Sequence, residues 1–214
     1  MVNKKQKFFV LGVVVLALCA LILGLLIAKK IFVEHTVDVT KFHGTLLSQP
    51  RTVEPFKLEG IDHQAFTEQS LSGQWTMLFF GFADCGYLCP TTLSELNKMM
   101  LYLQHHGVKK LPRVVFITID PKRDDLEKLR HYVKAFNPNF YAARGDETSI
   151  QQLAQTMGIA YAKLTPSSKS EDEGYQIEHS GTIILFNPKG QLNGFFTTPH
   201  HARLLGEDYL LLTA

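Results

Sequence analysis

An excess of charge of either sign is missing from this 214-residue chain: 22 Lys and Arg stand against 20 Asp and Glu, a formal net charge of +2. No basic stripe with interleaved aromatics occurs either, so nothing supports a nucleic-acid role. Low-complexity runs and internal repeats are absent, and from Arg51 onward the 164 remaining residues are the size of one domain able to bury a substantial core. Cysteine is scarce. Of Cys19, Cys85 and Cys89, the first lies within an apolar N-terminal run, which leaves one pair for chemistry outside a membrane.

Lys4, Lys5 and Lys7 open the chain, and Phe8 to Ala28 then runs without a charge or a proline. As a helix those 21 residues would measure roughly 31 Å, enough to cross a hydrocarbon core of about 30 Å. Lys29 and Lys30 close the run, so the lysine balance favours a cytoplasmic N-terminus with the bulk of the chain outside. A signal peptide is the competing reading, but the run is long for one and no small-x-small site follows it. Leu16-Ala17-Leu18-Cys19 is a poor lipoprotein box, because Leu18 is large where a small residue is wanted. The expected organisation is a cytoplasmic N-terminus over 1–7, a transmembrane anchor over 8–28, a tether over 29–50 and a domain over 51–214.

Within that domain apolar runs alternate with helical patterns, which points to an α/β architecture. Trp75 to Phe82 and Arg113 to Ile119 read as buried strands, Phe140 to Ala143 as a short one, and Thr182 to Phe186 and Leu192 to Phe196 as a hairpin around Asn187-Pro188-Lys189-Gly190. Leu93, Leu96, Met100 and Leu103 mark a helix with Pro90 at its first position. Leu126, Leu129, Val133 and Phe136 mark a second, capped by Asp124; Ile150, Leu153 and Met157 mark a third, capped by Asp146 and ended by Gly158. Strand, helix, strand, helix, hairpin and last helix is a thioredoxin-like order.

In that layout Cys85 and Cys89 lie at the start of the first helix, with Cys89 at or beside its N-cap. Orphan N–H groups and the helix dipole favour thiolate over thiol there, so the pair suits soft-metal binding or disulfide exchange, while a stabilising disulfide is the bland alternative. A third ligand would separate a metal site from a redox pair. Among the nine histidines, His105 and His106 suit the end of their helix, His131 falls on a polar face, and His35, His43 and His63 lie in tether or loop sequence. His200 and His201 follow Pro199 and rank second. His179 stands apart, just before the strand Thr182 to Phe186, where loops converge in α/β sheets.

Four ordered blocks resemble the Sco/SenC family of membrane-anchored copper chaperones used in cytochrome c oxidase assembly. They are Phe80-Gly81-Phe82 leading into Cys85-x-x-x-Cys89-Pro90, Phe116-Ile117-Thr118-Ile119-Asp120-Pro121, Arg123-Asp124, and Tyr175-Gln176-Ile177-Glu178-His179-Ser180. The resemblance implies a thioredoxin-like domain behind a single N-terminal transmembrane helix, with copper, as Cu(I) and also Cu(II), held by Cys85, Cys89 and His179. It further implies delivery to the binuclear copper site of the oxidase's copper-bearing subunit, with another copper chaperone or a thiol reductase as further partners. The setting it implies is a bacterial-type inner membrane with the domain on the periplasmic or extracytoplasmic side. A thiol-disulfide oxidoreductase acting on extracytoplasmic cysteines is the alternative function. One departure stands out: many members carry Pro-Asp after the first cysteine, where this chain has Gly86-Tyr87.

Overall fold

A computed structural model describes residues 12–25, 39–164 and 175–213, and the chain divides into two units, Met1–Val37 and Asp38–Ala214. In the first unit residues 12–25 form a helix, α1. Among the described residues no helix is long and apolar enough to cross a membrane; the expected span over 8–28 extends beyond the described residues at both ends.

The second unit is built on an eight-stranded sheet. In chain order its elements are β1 (Thr45–Arg51), β2 (Lys57–Gly60), β3 (Ala65–Thr67), β4 (Thr76–Gly81), α2 (Leu88–His105), β5 (Arg113–Thr118), α3 (Leu126–Phe136), β6 (Tyr141–Arg144), α4 (Glu147–Thr156), β7 (Tyr161–Leu164), β8 (Gln176–His179), β9 (Ile183–Phe186), β10 (Leu192–Phe196) and α5 (Ala202–Thr213). The sheet order is β1-β10-β9-β4-β5-β6-β2-β3, and β7 and β8 form a separate two-stranded sheet. β4, β5 and β6 run parallel, and the other pairings are antiparallel.

Every residue of β4 is buried, as its unbroken apolar run requires of a central strand covered on both faces. Met77 and Phe79 join Leu93, Leu96, Leu129, Val133, Leu205 and Tyr209 of α2, α3 and α5 on one face. Leu78 and Phe80 join Ile150 and Leu153 of α4 on the other. The expected strand, helix and hairpin order is therefore present, with Gly190 at φ +74° in the hairpin turn and Gly158 at φ +73° after α4.

Three local expectations need correction. Residues 45–50, assigned to the tether, lie in β1, which pairs with β10 from Thr45 opposite Phe195 to Arg51 opposite Leu192. An edge strand tolerates Pro50 and shows mostly exposed residues, so its pattern is that of a loop. α2, the first helix of the domain, begins at Leu88, two residues before Pro90; all of its first-turn N–H groups lack intrahelical acceptors, so proline is tolerated there too. Finally, Asp125 rather than Asp124 caps α3, accepting the Lys128 N–H at 2.7 Å, because Asp124 is turned inward.

Pairing also fixes where the chain joins the domain. Phe196 lies opposite Ile183, which lies opposite Phe79 near the carboxyl end of β4, so β1 starts at the same end of the sheet as the cysteine loop. There the wholly buried Asp208 of α5 accepts the N–H groups of His43 at 2.9 and 3.0 Å and of Gly44 at 2.9 Å, and its Oδ1 lies 2.8 Å from His43 Nδ1.

Candidate metal centre

β4 ends at Gly81 and the chain turns through residues 82–87 into α2, which brings Cys85 onto the loop and Cys89 into the first helical turn. Tyr87, the residue before the helix, offers no side-chain cap. The vacant capping role falls to sulfur: Cys89 N–H donates to Cys85 Sγ at 3.3 Å, and Cys85 N–H in turn donates to the Phe82 carbonyl at 3.3 Å. The helix N-terminus thus acts on Cys85, not on Cys89 as the spacing suggests.

The two sulfurs are accordingly unlike. Hydrogen bonding from the Cys89 thiol, which outweighs the opposing effect of burial and is joined by bonds from His179 and from the Cys89 and Tyr87 amides, lowers the Cys85 pKa to about 4. The Cys89 pKa is pushed up, first because its thiol donates to Cys85, then by burial and by the charges of Cys85 and Asp124. Near neutrality the pair is one thiolate and one thiol. Cys89 is fully buried, and its sulfur occupies the space that a side chain at residue 81 would take: a Cβ on Gly81 would stand 2.7 Å from it.

His179, the last residue of β8, presents Nε2 to Cys89 Sγ at 3.4 Å. The ligand atoms of Cys85, Cys89 and His179 all lie within 4.8 Å of one another, a grouping that no other three His, Cys or acidic side chains make among the described residues. The imidazole rests against Phe79 and Phe82, each with ring centroids 5.9 Å away, and its Nδ1 is buried without a hydrogen-bond partner among the described residues.

The other sequence blocks hold these elements in place. The Tyr175 hydroxyl and the Arg123 guanidinium both donate to the buried carboxylate of Asp120, and the guanidinium lies 4.2 Å over the Tyr175 ring, which ties the start of β8 to the loop after β5. Asp124, also buried, accepts the Ala83 N–H at 3.0 Å and the Thr118 hydroxyl at 2.7 Å. Lys128 pairs with Asp124 at 3.2 Å and with Asp84 at 2.9 Å, fastening the segment just before Cys85. Neither Gly81 nor Asp124 stands out in the sequence as part of the site, although both lie in the blocks that carry the resemblance.

Among the described residues the other histidines do not join the sulfurs. His106 Nδ1 bonds the Tyr102 carbonyl, His131 pairs with Glu127, His63 with Glu59, His43 with Asp208, and His200 bonds the Gly181 carbonyl. His35 and the acidic turn Glu171-Asp172-Glu173 lie outside the described residues. Cys19, Cys85 and Cys89 are all free thiols. Tyr87, half of the Gly86-Tyr87 departure, is 78% exposed, so that difference lies on the surface.

The family model described as SCO1/SenC matches residues 45–209 of this chain. The chain belongs to the SCO1/SenC family. Among SCO relatives, it is 33% identical over 137 residues to an SCO2-like protein of Rickettsia prowazekii, a match covering 64% of this chain and 65% of that protein. It is 31% identical over 180 residues to the human mitochondrial protein SCO1 homolog, covering 83% of this chain and 57% of the human one. Among solved structures, Arabidopsis thaliana ScoI with copper bound superposes with a TM-score of 0.67 at 29% identity, over 75% of this chain and 96% of that one. The mixed α/β, thioredoxin-like fold expected for an SCO protein is thereby established.

Proposed function

We propose that this protein is a copper-binding metallochaperone that holds copper through Cys85, Cys89 and His179 and delivers it to the binuclear copper site of cytochrome c oxidase. The observation that carries the reading is the meeting of two sulfurs and one imidazole nitrogen, drawn from a loop, a helix and a strand, within 4.8 Å of one another. Two atoms bound to one ion at about 2.0–2.3 Å each lie no more than about 4.6 Å apart, so the three are within small adjustments of sharing an ion. Two thiolates and an imidazole form a soft, low-coordinate set that suits Cu(I), and the histidine extends it to Cu(II). Zinc would normally take a fourth ligand.

In this reading the chain's residues divide the work. Cys85 supplies a sulfur that is already deprotonated, Cys89 gives up its proton when copper arrives, and Phe79 and Phe82 hold the His179 ring against them. Three ligands leave one face open, through which a ligand of the receiving protein enters before the donor's ligands leave. The copper-bound Arabidopsis relative supports this assignment. The same reading places residues 8–28 in a membrane as a single anchor, with the domain on the extracytoplasmic side of a bacterial-type inner membrane, on the strength of the lysine balance around that run.

The test is a Cu(I) competition against a chelator with the reduced full chain. Wild type should retain copper that the double variant Cys85→Ser, Cys89→Ser surrenders; equal affinities refute the assignment. The thiolate and thiol asymmetry of the pair favours a second reading, a thiol-disulfide oxidoreductase working through a mixed disulfide at Cys85. His179→Ala separates the two, since it should cripple copper retention and leave disulfide exchange largely intact.

A further inference from the structure

The turn between β8 and β9 follows His179 directly, and it is pinned from two sides. Gly181 has φ +65°, and a Cβ there would come within 2.9 and 3.0 Å of Leu88, the residue before Cys89, and 3.0 Å of Thr198. The third contact is polar: His200 Nε2 lies 2.8 Å from the Gly181 carbonyl oxygen. A carbonyl only accepts, so Nε2 carries the proton; burial holds the His200 pKa below the ordinary imidazole value, and the ring is neutral. Two residues on, Ala202 N–H donates to Glu95 Oε2 of α2 at 2.8 Å. The segment after β10 therefore grips both the helix that carries Cys89 and the turn that follows His179.

We propose that His200 is a positioning residue for the metal centre, its hydrogen bond to the Gly181 carbonyl holding the turn that sets His179 against the two sulfurs. His200 binds no metal itself and lies outside the sulfur cluster. This inference rests on the copper reading, in which His179 is the ligand brought from a separate strand. A ligand whose strand is joined to the cysteine helix only by contacts depends on those contacts for its distance, and removal of such outer partners typically weakens metal binding about 10- to 100-fold.

The experiment uses the full chain loaded with Cu(II), read by nitrogen hyperfine coupling in electron paramagnetic resonance, together with Cu(I) competition. His200→Ala should weaken copper binding by about tenfold or more and reduce the imidazole nitrogen coupling, while the thiolate-to-copper absorption persists. His200→Gln, whose amide N–H can reach the same carbonyl, should restore both. If His200→Ala does not fold, His200→Gln and His200→Asn carry the test, because asparagine is one methylene too short to reach. Wild-type coupling and affinity in His200→Ala or His200→Asn, beside an impaired His179→Ala, overturn this inference alone. Equal copper binding by wild type and His179→Ala would overturn the ligand assignment, and this inference with it.

Discussion

Replacing Gly81 by alanine probes how closely the fold is fitted around Cys89. The added methyl would stand 2.7 Å from Cys89 Sγ and 2.8 and 3.1 Å from the Phe116 ring, and both neighbours are fully buried. Gly81 does not have a positive φ, so the cost is one of space and not of backbone conformation. Ordinary contact begins near 3.4 Å, so sulfur and ring must each give way by about 0.6–0.7 Å in a core that has no room. Overpacking of this kind costs about 1–3 kcal/mol, which for a domain of this size lowers the Tm by roughly 2–12 °C. The same displacement exceeds the tolerance of about 0.2 Å on metal–ligand distances, so copper affinity should fall about tenfold or more. Thermal unfolding of the metal-free chain and Cu(I) competition measure the two effects. Adding Phe116→Leu should relieve the ring and recover part of the Tm without recovering copper, since the sulfur remains displaced. A Tm within 1 °C of wild type together with unchanged copper affinity would refute the reasoning.

Two further outcomes are expected. In the reduced, metal-free chain, alkylation of Cys85 by iodoacetamide should proceed at a nearly constant rate from pH 8 to pH 5 and halve near pH 4, because a lowered pKa keeps the thiolate as acid is added; a rate that falls tenfold per unit between pH 8 and pH 6, as for an ordinary cysteine, would contradict it. Asp208→Ala leaves the His43 and Gly44 amides without their acceptor and should cost about 2–4 kcal/mol and speed proteolysis near residues 38–44, with Cu(I) affinity unchanged; proteolysis at the wild-type rate would show that the clasp does not hold that segment.

What the sequence discloses of this fold follows burial. β4, β5, β9 and β10, whose residues are largely buried, read as strands, and α3 and α4 declare themselves through apolar spacing and aspartate caps. β1 is an edge strand with most of its residues exposed, and β7 alternates only between half-buried and exposed, so neither shows the pattern of a strand. The start of α2 is hidden for a different reason: its first turn is capped by a cysteine sulfur four residues away, and no Ser, Thr, Asp or Asn announces it. The cysteine pair is visible as a motif. His179 is set apart in the sequence by its place before a strand and by its block, but its approach to Cys89 is not written there, because what brings the two together is the docking of β8 through Tyr175 and Asp120, a contact between residues 55 positions apart. Gly81 and His200 escape for the same reason, since each acts through a space or a carbonyl that only the folded chain creates.

The direction in which the polypeptide joins its domain has a practical side. β1 begins at the sheet end that carries Cys85, Cys89 and His179, whereas α5 starts there and runs away from it, its Asp208 carboxylate holding the His43 and Gly44 amides and its long Tyr209 side chain reaching the Lys110 carbonyl at 2.7 Å. A bulky tag or fusion partner joined just upstream of Phe42 would overhang the ligand face and shield it from a visiting protein. The same cargo joined after Thr213 would stand about 18 Å away, the length of the final helix, and leave that face clear.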